Sequence, residues 1–295
     1  RFKITGGEPT VRPGLVELIR KLRKIDGIED LSLTTNGMLL ADLAGPLRDA
    51  GLDRITVSID SLLADRFARI TRTGDLAAVL RGLDRVAAAG FTGTKINCVA
   101  MRGTNDDEFA SFARLTLNRE LTVRFIEFMP LGEAALMHHQ TEPGHAAPAL
   151  YNDQGPAGGC GNQDRGEHAF ISEPEIRKSI EDQLGELISV SRDIEPGVGP
   201  ATVYHLPNAV GRIGFISAMS APFCSTCNRL RLTADGVLRS CLFDGGEVPI
   251  CDLLRQPMSG SQKRTALAEA MTDCVRLKPI THSGRGNEQM SRIGG

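Results

Sequence analysis

The sequence predicts an α/β fold built on a parallel sheet, and three observations carry that prediction. From residue 1 to about 130, short strand-like runs alternate with amphipathic helical stretches. Polar or glycine-rich motifs stand just after successive strands. The alternation then breaks after Met129-Pro130-Leu131-Gly132. Regular βα alternation gives a parallel sheet, either doubly wound or closed into a barrel, and in both forms the chemistry gathers at the C-terminal ends of the strands.

The elements read in order as follows. Strand-like runs are Phe2–Ile4, Leu31–Thr34, Ile55–Ile59, Lys95–Ala100 and Val123–Phe128. Between them, Leu15-Val16-Leu18-Ile19-Leu22 and Val79-Leu80-Leu83-Val86 trace helical stripes. Residues 1–132 therefore form the βα region. Residues 133–170 are rich in Gly, Pro, His and Gln without period and read as an irregular linker. The third region, 171–295, opens with a helix from Ser172 to about Leu184. Short strands follow near 187–191, 202–206 and 212–217, then a cysteine run, a helix over about 262–275, and a tail ending Gly294-Gly295.

Composition narrows the function classes. A formal charge of −2 gives no bulk attraction to nucleic acid. No apolar run reaches the length of a membrane span, and there is no secretory signal at the start. The 7 cysteines are odd in number and irregularly spaced, which suits a reduced, cytoplasmic setting with metal or packing roles. Because Phe2-Lys3-Ile4 already reads as a strand, the chain is expected to begin mid-fold at Arg1.

Cys224, Cys227 and Cys241 form a C-x2-C-x13-C run, with Arg229 and Arg231 at alternate positions after the second thiol. Thiolates bind soft metals. A structural zinc site closes with four ligands, as does an ordinary iron–sulfur cluster. Three cysteines thus leave two readings open: a zinc ribbon completed by Cys251, Cys160 or His282, or a cluster with one position free for substrate.

Three strand-end motifs sharpen the choice. In Thr5-Gly6-Gly7-Glu8-Pro9, adjacent glycines let backbone approach a ligand, and Glu8 can accept from an ammonium or hydroxyl. Thr34-Thr35-Asn36-Gly37 and Ser58-Ile59-Asp60-Ser61 end the next two strands. Each alone is also what a helix cap or Asx turn looks like; three at successive strand ends would line one rim. Lys95 and Asn97 share a face of the fourth strand, while Arg124 and Glu127 lie on opposite faces of the fifth. A lumen holding Lys95 and Arg124 suits an anionic ligand.

These motifs, with Lys-Ile-Asn-Cys-Val, Arg-Phe-Ile-Glu-Phe-Met-Pro, Cys-x-x-Cys-Asn-Arg-Leu-Arg-Leu-Thr and a final Met-x-x-Ile-Gly-Gly, occur in an order that resembles the GTP 3′,8-cyclase family. Those are radical S-adenosylmethionine enzymes of molybdenum cofactor biosynthesis. The resemblance covers nearly the whole chain, least so over 133–170. It implies an incomplete (β/α)6 partial TIM-type barrel lacking its first βα unit, with a C-terminal α+β module carrying an auxiliary iron–sulfur site. By the same resemblance, Cys224, Cys227 and Cys241 would hold an auxiliary [4Fe–4S] cluster whose open iron meets guanine. Gly6, Gly7, Glu8, Thr34, Ser58 and Met129 would contact S-adenosylmethionine. Arg1, Lys3, Thr5, Lys95, Arg124, Arg229 and Arg231 would bind GTP, and the Gly294-Gly295 tail would reach the active site. An external electron donor and a homodimer are implied too.

One departure is large. The superfamily's C-x3-C-x2-C run, which binds the cluster that cleaves S-adenosylmethionine, is absent from these residues. Truncation accounts for this, and the chain as given is expected to be inactive. Two other readings compete: another radical enzyme with an auxiliary cluster, and a zinc-ribbon nucleotide-binding module. Cys98 and Cys274 read as packing residues. Cys160 and the His138-His139 pair receive no role.

Overall fold

The computed structural model describes residues 1–131, 169–191 and 199–283. The 133–170 linker up to residue 168, with Cys160 and His138-His139, lies outside the described residues, as does the Gly294-Gly295 tail. The described chain forms two compact units. The first holds Arg1–Phe128 and Ile171–Phe223; the second is built chiefly from Cys224 onward.

The first unit is an eight-stranded sheet in the order β1-β2-β3-β4-β5-β8-β7-β6. Its strands are β1 Phe2–Ile4, β2 Leu31–Thr35, β3 Arg54–Ser58, β4 Thr94–Ala100, β5 Leu121–Glu127, β6 Ile188–Ser189, β7 Thr202–His205 and β8 Arg212–Ile216. The strands β1 to β5 and β8 run parallel; β7 and β6 complete the edge antiparallel. The expected strands at 202–206 and 212–217 thus belong to this sheet, and the chain divides at Phe223, not at 171. The reason is packing. Ile213 and Phe215 carry the apolar face of β5 one strand further, with the Phe125 and Phe215 rings stacked at 5.9 Å.

Register separates the two faces of the sheet, because residues paired across strands point the same way. Ile4, Leu33 and Ile55 share one face, and so do Val57, Ile96, Val123 and Ile213, and Cys98, Phe125 and Phe215. Leu15 and Ile19 of α1 (Leu15–Arg23), Leu40 and Leu47 of α2 (Leu40–Asp49) and Phe67 of α3 (Ala64–Thr71) pack in the same core. So do Val79 and Val86 of α4 (Leu76–Ala88), Phe112 of α5 (Phe109–Asn118) and Ile176 and Ile180 of α6 (Glu173–Leu184). The parallel strand order never reverses. A doubly wound sheet needs a reversal and helices on both faces, so that alternative fails for the described sheet.

Local chemistry explains the helix starts. Asp75 caps α4 by accepting from Ala77 N at 2.9 Å. Ser172 and Glu175 form a capping box at α6. Gly82 lets α4 close on α2: a Cβ there would stand 2.9 Å from both the Gly37 carbonyl and Leu40 Cβ.

The second unit has a small antiparallel sheet in the order β11-β10-β9, made of β9 Arg231–Leu232, β10 Val237–Arg239 and β11 Glu247–Pro249. Two helices follow, α7 Cys251–Arg255 and α8 Gly260–Arg276. Leu238, Ile250 and Cys274 form its core, with Leu267 and Ala270 packed against them. Cys98 in the first unit and Cys274 here are both fully buried.

Candidate functional site

The face of the sheet opposite the helices is polar over three rows and ends in an apolar one, Val99, Ile126 and Ile216. Thr34, Thr56, Lys95, Thr122 and Arg212 form one continuous row across β2, β3, β4, β5 and β8. The next row is Ser58, Asn97, Arg124 and Gly214. Lys3, Ser32 and Arg54 form the row before. The alternation of β4, with Thr94, Ile96, Cys98 and Ala100 buried, is what turns Lys95 and Asn97 to this side. Among the described residues, no acidic residue occupies a registered position on it. Arg124 is 8 % exposed and donates from Nε to Asn97 Oδ1 at 2.9 Å. Gly214 makes room for it, since a Cβ there would lie 3.1 Å from Arg124 Cγ.

Lys3, Thr34, Ser58, Lys95 and Arg124 are therefore gathered on one face. Arg1 is exposed just before β1. Met129 follows β5 by two residues and falls in the second unit. Arg212 was missed by the sequence reading. Its signal was the alternation Arg212-Ile213-Gly214-Phe215, obscured by the two flanking glycines.

The turn after β1 is tied to the end of β2 by one carboxylate. Glu8 Oε1 accepts from Thr10 N at 2.9 Å, from Thr10 Oγ1, and from Thr35 Oγ1 at 2.6 Å; Oε2 accepts from Asn36 N at 2.6 Å. Gly6 has φ +131°, a conformation suited to glycine, and space beside both Gly6 and Gly7 is open. That open edge is a cradle a ligand can approach closely.

The ends of β3 and β4 are joined by a buried polar network. Asp60 accepts from Val99 N at 2.8 Å. Asn105 donates to Asp60 O at 2.7 Å and Val99 O at 2.9 Å, and accepts from Met101 N at 2.9 Å. Burial pushes the Asp60 carboxyl up to about 6, against the lowering effect of the Val99 amide. Glu108, 3 % exposed, accepts from Ser61 Oγ at 2.8 Å, Leu62 N at 2.6 Å and Arg66 at 2.6 Å.

In the second unit the cysteines stand on two segments. Cys224 opens a short 3-10 turn that returns Cys227 N to Cys224 O at 3.1 Å, and Cys241 follows β10. Lys278, also missed in the sequence, straps these segments together: its Nζ donates to Arg229 O at 2.9 Å and Ser240 O at 2.8 Å. Arg231 and Arg239 are paired across β9 and β10, and the Nε of each is buried without an acceptor. Burial and the Arg229 charge lower the Arg231 guanidinium to about 10, while the Cys227 and Cys241 thiols pull it back up. Burial raises the Cys227 thiol, but the Arg229 backbone and guanidinium together with Lys278 outweigh it and lower it overall.

All six described cysteines are free thiols. Among the described residues no three His, Cys, Asp or Glu side chains converge enough to ligate one metal ion. A single zinc needs donors about 2.3 Å from a common centre. Thiol donors with the Arg229, Arg231 and Lys278 cations beside them suit an anionic metal group in their chemistry.

Comparison with known proteins finds a family match in each half of the chain. A family described as the Radical SAM superfamily matches residues 1–116, and one described as Molybdenum Cofactor Synthesis C matches residues 156–284. The chain thus combines a radical S-adenosylmethionine region with a molybdenum-cofactor-synthesis region. A GTP 3′,8-cyclase of Pelotomaculum thermopropionicum is 40% identical over 100% of this chain and 82% of its own length. GTP 3′,8-cyclases of Moorella thermoacetica and Petrotoga mobilis are 40% and 38% identical, each over 100% of this chain and 81% of its own length. The chain belongs to the GTP 3′,8-cyclase family.

Proposed function

We propose that this chain is a GTP 3′,8-cyclase, joining ribose C3′ to guanine C8 within GTP to give 3′,8-cyclo-7,8-dihydroguanosine triphosphate, the first step toward molybdopterin. The observation that supports it is end-to-end similarity to relatives of that name, so the strand-end motifs and the cysteine run occur together in one related chain. When bound, S-adenosylmethionine with its cluster supplies the hydrogen-abstracting radical, and the auxiliary cluster supplies an open iron.

The chain's own residues then bind and align. Lys3, Lys95 and Arg124, with Arg1 and Thr5, hold the phosphate chain; fixing the phosphates turns binding energy into alignment of C3′. Gly6 and Gly7 admit the methionine end of S-adenosylmethionine, with Glu8, Thr34, Ser58 and Met129 against the rest. Cys224, Cys227 and Cys241 hold the auxiliary cluster, and Arg229 and Arg231 face the substrate. The singly wound sheet with its polar face is read as the partial barrel and its lumen. The second unit is read as the cluster-bearing module. An external electron donor and a homodimer belong to this reading.

The test uses GTP deuterated at C3′, incubated anaerobically with S-adenosylmethionine, reductant and the reconstituted natural polypeptide. Deuterium should appear in 5′-deoxyadenosine alongside the cyclic product. Recovery of unaltered GTP would overturn the reading. Residues 1–295 contain no C-x3-C-x2-C run, so this stretch by itself is expected not to cleave S-adenosylmethionine. Cleavage by it would refute that part.

A further inference from the structure

In the second unit, β9, β10 and β11 carry one row in register, Arg231, Arg239 and Glu247, and residues paired across strands point the same way. Arg239 is 4 % exposed, and its Nη1 donates to Glu247 Oε1 at 3.1 Å. Its charge is therefore already matched. What is unmet is one N–H: the Arg239 Nε is buried and has no acceptor. A guanidinium can only donate, so this buried donor carries the full desolvation penalty of an unmade hydrogen bond. Arg231 repeats the pattern, with its own Nε buried and unaccepted. The Arg231 charge interacts with Arg239 and with the Cys227 and Cys241 thiols. Register thus sets Arg239 beside a cation that already feels the thiols, and Cys241 comes only two residues after it. Charged sulfur, in a thiolate or a bound sulfide, is an acceptor that such N–H groups can take.

We propose that Arg239 sets the reduction potential of the auxiliary cluster, donating its Nε–H to cluster sulfur while Glu247 fixes the other end of the guanidinium. The inference rests on the reading that Cys224, Cys227 and Cys241 hold a cluster, and it adds a residue to that reading. Hydrogen bonds to sulfur and local net charge are among the quantities that set such potentials. Reduction takes one electron from the reductant, adds one negative charge to the cluster and breaks no bond. A cation donating to sulfur stabilises that added charge, so the reduced state gains more than the oxidised one.

Residues 1–295 contain no C-x3-C-x2-C run, so anaerobic reconstitution is expected to load the auxiliary site alone. A redox titration followed by electron paramagnetic resonance then reads its potential. Arg239→Met should disfavour reduction about tenfold, which is about 59 mV more negative for one electron. About four irons per chain together with that lowered potential supports the proposal, because a merely structural role would cost iron without moving the potential. An unchanged potential overturns it. Should Arg239→Met hold too little iron to titrate, Arg239→Lys decides, since it keeps a cation opposite Glu247 and loses the Nε–H. A negative shift in that variant supports the proposal, and no shift overturns it. If unsubstituted residues 1–295 take up zinc or show no reducible cluster, the reading of the cysteines fails and this inference with it. A reducible cluster whose potential ignores Arg239 sinks the inference alone.

Discussion

Glu8 reaches from the turn after β1 to Thr35 at the end of β2, accepting its hydroxyl at 2.6 Å. One side chain thereby joins two of the strand-end motifs, and it also receives two backbone amides, Thr10 N and Asn36 N. Glu8→Ala should destabilise the chain by about 2–3 kcal/mol, since several donors lose a charged acceptor together. Urea unfolding followed by far-UV circular dichroism measures this. A loss below about 0.5 kcal/mol would show that water replaces the carboxylate without cost.

Asp60 gives the stability a pH signature. Its folded carboxyl titrates at about 6 against an ordinary value of 3.8, so the folded state holds the proton more tightly than the unfolded chain. The contribution is full below about 4, falls as pH rises toward 6, and is gone above that. Two units correspond to at most about 3 kcal/mol. Relative to Asp60→Asn, the unsubstituted protein should lose on the order of 2 kcal/mol between pH 4 and pH 8. Parallel stability curves for the two proteins would contradict the burial argument.

Iron content separates the cysteines. After anaerobic reconstitution, residues 1–295 should retain about four irons per chain. Cys224→Ser, Cys227→Ser or Cys241→Ser should each remove most of it, whereas Cys251→Ser should not. Lys278→Met should lower retention severalfold with all three thiols in place, because the segments bearing Cys227 and Cys241 lose their common strap. One zinc per chain lost with Cys251→Ser would instead restore the ribbon reading.

Gly82→Ala tests helix packing away from the site. The added methyl meets a backbone carbonyl at 2.9 Å, which cannot rotate aside as a side chain can. A loss of about 1–3 kcal/mol is expected despite alanine's better helix propensity. A stabilised variant in thermal unfolding would show that α2 and α4 separate freely.

The parallel sheet was legible because the period-two alternation of β2, β3 and β4 states both element type and buried face. Lys95 and Arg124 could be placed from period two alone. What could not be read was partnership. The strands from 202 to 216 have the right pattern, but nothing in a local pattern says which edge they join, so they were assigned to the wrong region. The place of Arg212 could not be read for the same reason: it joins the row of Lys95 only through register, more than 100 residues later in the chain. Lys278 acts through main-chain carbonyls, which leave no imprint on side-chain spacing.

Glu127 closes β5 and is 1 % exposed, yet it accepts from Glu173 N at 3.1 Å and from Met219 N and Ser220 N at 2.9 Å each. The chain leaves the sheet at residue 127 and resumes at residue 173 against the same carboxylate. Whatever length of polypeptide is spliced between these two anchors, the sheet and α6 meet identical boundary conditions. Closing a loop costs only about 0.6 kcal/mol more for each doubling of its length. Glu127 therefore makes this junction a place where sequence can be gained or lost over evolutionary time while the register of the polar face stays fixed.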